Sequence, residues 1–260
     1  PMLALSVLAG LALSGRRRLV IGLALFGMMA ESSNLPLSLS RYDGPPPAAR
    51  WLAGHEGAVV YLPVGDVNTR AMLDGLAHLR PLVNGGGAFV PRSYDRALDM
   101  LGKGTTLDEE GLRFLRAVDV RHIVSSSKLD LPEAAGFDDE TVFDVPAGPS
   151  ASVVEAGTPV PTRWTRHHAT VDLGEIRPVS RIIFTVGDAP WPRRVRVQTS
   201  LDGETWDHVE ATASLADATL SLYRDPRHGR GAVTFPEREA RLVRIDRSLP
   251  MRVGTLEVAP

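Results

Sequence analysis

The spacing of apolar and polar positions changes three times along this chain. Pro1 to Ser14 is almost wholly apolar, Gly15-Arg16-Arg17-Arg18 interrupts, and Leu19 to Ala30 is apolar again. Between Trp51 and Val118 the apolar positions recur mostly at helical spacing. A continuous run, Ala58-Val59-Val60-Tyr61-Leu62-Pro63-Val64, is too short for a domain helix and suits a buried strand of a mixed or parallel sheet. Beyond the Pro146-Ala147-Gly148-Pro149-Ser150 linker the period becomes twofold. Ile182, Phe184 and Val186 alternate with Arg181, Ile183 and Thr185; Val195, Val197 and Thr199 alternate with Arg194, Arg196 and Gln198; Val243 and Ile245 alternate with Leu242 and Arg244. Half-buried antiparallel strands read this way, with one face inward and one wet. Asp202-Gly203 is a hairpin turn between two such segments.

The middle region resolves into helices between strands. Ala48 to Ala53 reads as a short helix burying Trp51 and Leu52. Asn68 is expected to cap a helix running to about Leu79, with Met72, Leu73, Leu76 and Leu79 on its apolar face. Ser93 caps a second helix carrying Tyr94, Ala97, Leu98 and Leu101. Thr106-Leu107-Asp108-Glu109 opens a third as a capping box, with Leu107, Leu112, Leu115 and Val118 periodic. Strands follow over Asp119–Val124 and Thr141–Val145. The expected architecture is therefore N-terminal membrane helices, a small α/β domain and a C-terminal all-β jelly-roll sandwich. The boundaries fall at residues 1–40, 41–148 and 149–260.

The N-terminal pattern predicts a transmembrane helical hairpin, the cut end of a larger bundle, with its arginines on the cytoplasmic side. Everything after residue 40 then lies on the extracytoplasmic, periplasmic side of the cell membrane. Leu19–Ala30 is only 12 residues long, against the ~20 that span hydrocarbon. A cleaved signal peptide and a buried soluble helical hairpin therefore stay open beside it. Composition excludes other classes. The 260 residues contain no cysteine, so disulfide frameworks, thiolate metal sites and cysteine nucleophiles are absent. The net charge of -2, with dispersed basic residues, argues against a nucleic-acid partner.

Two stretches resemble known families. Trp164, Val171-Asp172-Leu173-Gly174, Pro192 to Val197, Ser200-Leu201-Asp202-Gly203-Glu204-Thr205-Trp206, Ala240 to Ile245 and Gly254-Thr255-Leu256-Glu257-Val258 occur in the order of a discoidin-like domain, the coagulation-factor C-terminal, galactose-binding-like type. That resemblance implies a β-sandwich that binds glycans or lipid surfaces and does no chemistry. It also implies that the Ser200–Trp206 turn packs its tryptophan on the sandwich. The long ligand-contacting loops of the family have no clear match here. Separately, His78-Leu79-Arg80-Pro81-Leu82-Val83-Asn84-Gly85 and Ala88-Phe89-Val90-Pro91-Arg92-Ser93-Tyr94 resemble the extracytoplasmic C-terminal part of multi-spanning bacterial glycosyltransferase-like membrane proteins of the C superfamily. That resemblance implies a non-catalytic tail, since the family's catalytic acids sit in early loops that these residues do not include.

Candidate chemistry is sparse. Asp74 and His78 share a helix face at i,i+4 beside Arg80, where an acid–base pair or a plain helix-end histidine both fit. Asn84 to Gly87 is a connector or an anion-binding backbone loop. His78, Arg80, Asn84, Gly85 and Tyr94 form the motif loop. Trp164, His167, Trp191, Arg193 and Arg194 are the candidate ligand contacts, because loops on a rigid scaffold carry binding residues and aromatic faces stack on sugar rings. Trp206 reads as core. His167 and His168 are adjacent on a strand and point to opposite faces, which disfavours a shared metal. No metal, cofactor or catalytic set is expected. The expected partners are a glycan or lipid-linked sugar and the membrane, beside the alternatives of a purely structural sandwich and a soluble hydrolase.

Overall fold

The computed structural model describes residues 44–65, 67–85, 92–102, 107–187, 191, 195–246, 248, 249, 251, 252, 254 and 256–259. The expected membrane hairpin at residues 1–40 lies outside them, as do Arg193 and Arg194. Among the described residues no helix is long and apolar enough to cross a membrane.

The first layer is built on α1 (Pro47–Ala53), β1 (Ala58–Leu62), α2 (Asn68–His78), α3 (Arg92–Leu101), α4 (Glu109–Ala117), β2 (Val120–Ser125), β3 (Glu133–Gly136) and β4 (Thr141–Asp144). The sheet runs β1-β2-β4-β3, with β1 parallel to β2 and the other pairs antiparallel. All five residues of β1 are buried, as its unbroken apolar run requires of a strand covered on both faces. One face packs on α3 and α4 through Val60, Leu62, Leu101, Phe114 and Leu115. The other packs on α1 and α2 through Val59, Tyr61, Leu52 and Ala71.

The second part comprises β5 (Thr158–Val160), β6 (Thr162–Trp164), β7 (His168–Thr185), β8 (Val195–Ser200), β9 (Asp207–Ala213), α5 (Leu215–Arg224), β10 (Arg230–Asp246) and β11 (Leu256–Ala259). Two long strands organise it. The first half of β7 pairs β6 and the end of β10; its second half pairs β11 and the start of β10. Register breaks at Thr234/Arg238 and Ala240/Leu242 mark where β10 bends between the two layers. Val171, Val197 and Ile245 from one layer join Ile182, Phe184, Val233 and Val258 from the other in one core. This is the expected β-sandwich, with the Asp202-Gly203 hairpin between antiparallel β8 and β9. Gly203 has φ +89° there, a turn conformation that suits glycine.

Several local expectations are corrected. Helix α2 is turned over. Its buried positions are Ala71, Asp74 and His78, while Met72, Leu73, Leu76 and Leu79 are exposed, Leu76 by 72% and Leu79 by 81%. The small Ala71 faces Ala48 and Leu52, which lets α1 come close. Asn68 does not cap α2: Val67 holds that position, and the Asn68 side chain works elsewhere. Helix α3 begins at Arg92, so Ser93 lies inside it. Helix α4 is capped by Asp108, whose carboxylate accepts the Gly111 N–H at 2.9 Å, in place of a box opened at Thr106. Ile183 is buried at 1%, because Val154 and Ala232 cover the side of β7 that was expected to be wet. Helix α5 was not anticipated. Ser214 caps it by accepting from the Asp217 N–H, a signal present in the sequence.

Candidate functional site: an outward groove on the sandwich

Register alone places a polar row on the wet face of one layer. Arg163 on β6 faces Thr170 on β7, Thr170 faces Arg244 on β10, Arg244 faces Gln198 on β8, and Gln198 faces His208 on β9. Thr170, Arg244, Gln198 and His208 alternate with buried neighbours, such as Ala169, Val171, Val243, Ile245 and Val197, and Arg163 is exposed between half-buried Thr162 and Trp164, so the row points outward by the twofold period. The Ser200–Trp206 turn closes over this face. Asp202 accepts from the N–H groups of Glu204 and Thr205 at 2.8 and 2.9 Å, and Ser200 accepts from the Gly203 N–H at 2.8 Å. These contacts hold the Asp202 carboxylate below its usual range, the Thr205 and Glu204 hydrogen bonds leading.

The turn sets Trp206 against Arg244, whose guanidinium carbon lies 3.8 Å from the indole centroid. Trp206 is therefore half-buried on the outer face and is not a core residue. Its Nε1 donates to the Gly203 carbonyl at 3.1 Å. Around the pair opens a groove of ≈ 650 Å³, lined among others by Arg163, His168, Thr170, Asp172, Trp206 and Arg244. The Nε of Arg244 is buried and has no hydrogen-bond partner. The His168 imidazole is pushed below its ordinary range, by burial first and then by Arg244, His167 and Arg163, with Asp246 opposing. The groove is thus a partly apolar surface with two arginines and one carboxylate, Asp172, in its lining.

The anticipated ligand contacts are dispersed. Trp164 packs against the sandwich core, and its Nε1 donates to the Gly254 carbonyl at 2.7 Å. Trp191 also packs on that core, with its ring 6.3 Å from Phe184. His167 is exposed at the β6–β7 turn, one residue from the groove. Arg163, Arg244 and Trp206 were missed as a set because they lie on three segments far apart in sequence, β6, β10 and the β8–β9 turn. The available signal was the alternation that sends Arg244 outward from a central strand.

The motif residues of the α/β part do converge, as a structural clamp. Asn84 exchanges hydrogen bonds with the backbone of Tyr61, accepting its N–H at 2.6 Å and donating to its carbonyl at 2.7 Å. Asn84 also donates to Asn68 at 3.1 Å, Asn68 donates to the Gly85 carbonyl and to Tyr94, and Tyr94 donates to the Gly85 carbonyl at 2.9 Å. Asn84 thereby extends the sheet edge beyond β1. The Arg80 N–H donates to His78 Nδ1 at 3.0 Å, and the Arg80 guanidinium donates to the Ala53 carbonyl at 3.0 Å. His78 is 4% exposed and Asp74 1%. Burial raises the Asp74 pKa against the opposing pull of Arg70, and lowers that of His78 with Arg80 adding to it. Neither group is reachable by a substrate, so the acid–base reading of this pair has no geometric support.

The model of the F5/8 type C domain matches residues 124–247, and the chain carries a discoidin-like domain there. The match starts within β2, upstream of the Pro146–Ser150 linker, and ends just past β10. Solved structures similar to this chain include chitosan-binding module 1 of a chitosanase/glucanase from Paenibacillus sp. IK-5. It is 23% identical, with 38% of this chain and 72% of the module covered and a TM-score of 0.25. Another is CBM32-5 from Clostridium perfringens in complex with GalNAc-β-1,3-galactose, 13% identical, covering 36% of this chain and 65% of that module, TM-score 0.23. A third is CBM32-3 from a family 31 glycoside hydrolase of Clostridium perfringens, 18% identical, covering 42% and 67%, TM-score 0.24. No curated protein matches the chain.

Proposed function

We propose that this chain is the extracytoplasmic C-terminal region of a membrane glycosyltransferase-like protein, and that its sandwich binds a glycan or the sugar of a lipid-linked saccharide. The carrying observation is the outward groove on a discoidin-like domain, in which the Arg244 guanidinium sits over the Trp206 ring among Arg163, His168, Thr170 and Asp172. A small apolar surface ringed by a few convergent donors and acceptors is what saccharide hydroxyls and ring faces require. The apolar runs around Arg16–Arg18, and the motif shared with C-superfamily proteins, support the membrane setting.

A glycan array probed with the full chain tests the binding. Retention of an oligosaccharide that Trp206→Ala loses at least tenfold supports it; retention of no sugar refutes it. The absence of cysteine makes topology testable. A single cysteine placed at exposed Ser150 should react with a membrane-impermeant maleimide on intact cells, and protection from the reagent would place the domain inside.

A second reading, a structural brace, is favoured by α5. This helix of the sandwich buries Ala216 and Leu220 in the α/β core, so the two parts share packing. Intact function of the parent protein with Trp206→Ala would favour the brace.

A further inference from the structure

The groove holds more positive charge than a neutral sugar needs. Arg163 and Arg244 flank Thr170 on adjacent strands, and neither makes an ion pair among the described residues. Two strand spacings separate their backbones, about 10 Å, and both side chains line the same groove. The Arg244 guanidinium carbon lies 3.8 Å from the Trp206 ring centroid, and the Arg244 Nε–H is buried without an acceptor among the described residues. The groove wall also carries one carboxylate, Asp172, against the two guanidinium groups. Asp172 accepts from the Gly174 N–H at 2.9 Å, and Asp246 accepts from the Ser248 N–H at 2.9 Å. His168 adds a donor that becomes cationic on protonation.

We propose that the groove selects acidic saccharides, with the carboxylate of a uronate-type sugar held by Arg244 and Arg163 while the sugar body lies along Trp206 and Thr170. This rests on the glycan-binding reading and names its ligand class. A planar carboxylate matches the guanidinium fork, and such charge-assisted pairs are the stronger hydrogen bonds.

Calorimetric titration of the full chain with trigalacturonate, with neutral galactotriose and with inorganic phosphate separates the outcomes. The expected result is binding of trigalacturonate at least tenfold tighter than galactotriose, weakening as salt rises. That preference should fall at least fivefold in both Arg244→Gln and Arg163→Gln. Arg163 is exposed, so its variant keeps the fold even if Arg244→Gln loosens the Trp206 contact. Equal affinity for the two trisaccharides overturns the acidic assignment and leaves the glycan reading standing. Binding of neither trisaccharide overturns the acidic assignment, and the glycan reading falls with it only where the array also retains no sugar. Phosphate competing at the same concentration as trigalacturonate shows a bare anion site and also overturns it.

Discussion

Asn84 shows how one side chain can stand in for a strand. Its carboxamide satisfies both the N–H and the carbonyl of buried Tyr61 near the end of β1. An unsatisfied buried polar group costs about 1–3 kcal/mol. Asn84→Ala should therefore lower unfolding stability by about 2 kcal/mol, seen as a lower urea midpoint at unchanged slope. Asn84→Asp should be no better, because it sets an oxygen against the Tyr61 carbonyl. Leu79 gives the opposite case. It ends α2 at φ 53°, a left-handed conformation that costs an L side chain roughly 1–2 kcal/mol. Its side chain is 81% exposed, so little packing repays that strain. Leu79→Gly should raise stability by about 0.5–1 kcal/mol after glycine's extra freedom in the unfolded chain is subtracted. A lower midpoint would mean that the Leu79 side chain packs on something.

At the scale of elements, α2 and α5 define what could be read from the pattern. In α2 the apolar stripe was visible, but periodicity says only that a stripe exists, and the opposite stripe is the buried one. The helix is held by Ala71 against α1 and by the Arg70 guanidinium, which bridges Asp74 and Glu140 at 3.5 and 3.0 Å. No local rule sets those polar contacts above the leucines. Leu76→Glu should accordingly change stability by less than about 0.5 kcal/mol, as for other exposed positions. A loss of 2 kcal/mol or more in a denaturant titration would restore the apolar-inward helix. Helix α5 carries the reverse lesson. Its cap, Ser214 with Asp217, was legible, yet the surrounding twofold alternation hid it. Leu220 is 4% exposed among Leu115, Phe114 and Ala216. Leu220→Ala should cost about 2–5 kcal/mol, the range for a buried leucine. The loss should appear in one transition monitored from both parts of the chain. The strand alternation of β8 and β10, and of β7 apart from the covered Ile183, was legible because each strand carries its own signal. The groove was not, because Arg163, Gln198 and Arg244 meet only once the register is known.

For the whole molecule, the joint between α4 and α5 decides how the two parts respond to acid. Arg113 reaches Glu110 and Asp217, each at 2.9 Å, and Glu110 accepts from the Ser214 hydroxyl and the Ala216 N–H, each at 2.8 Å. Burial alone would raise the Glu110 pKa. The hydrogen bonds from Ala216, Ser214 and Arg113 together outweigh it, and the carboxylate titrates below its ordinary range. The folded chain then binds this proton less readily than the unfolded chain, so stability rises with pH across the window between the two values. The contribution is complete above the ordinary glutamate range and vanishes as pH falls through the lowered value. Asp74 and Glu140 act with the opposite sign, since burial raises both of them. They are common to wild type and variant, so they cancel in a difference. Glu110→Gln should therefore be less stable than wild type by about 1 kcal/mol at neutral pH, a value kept modest because the side chain is 35% exposed. The two unfolding free energies should converge as the solution is acidified. A gap that stays constant down the acid limb would show that Glu110 acts through shape alone, and that the joint carries no charge-dependent stability.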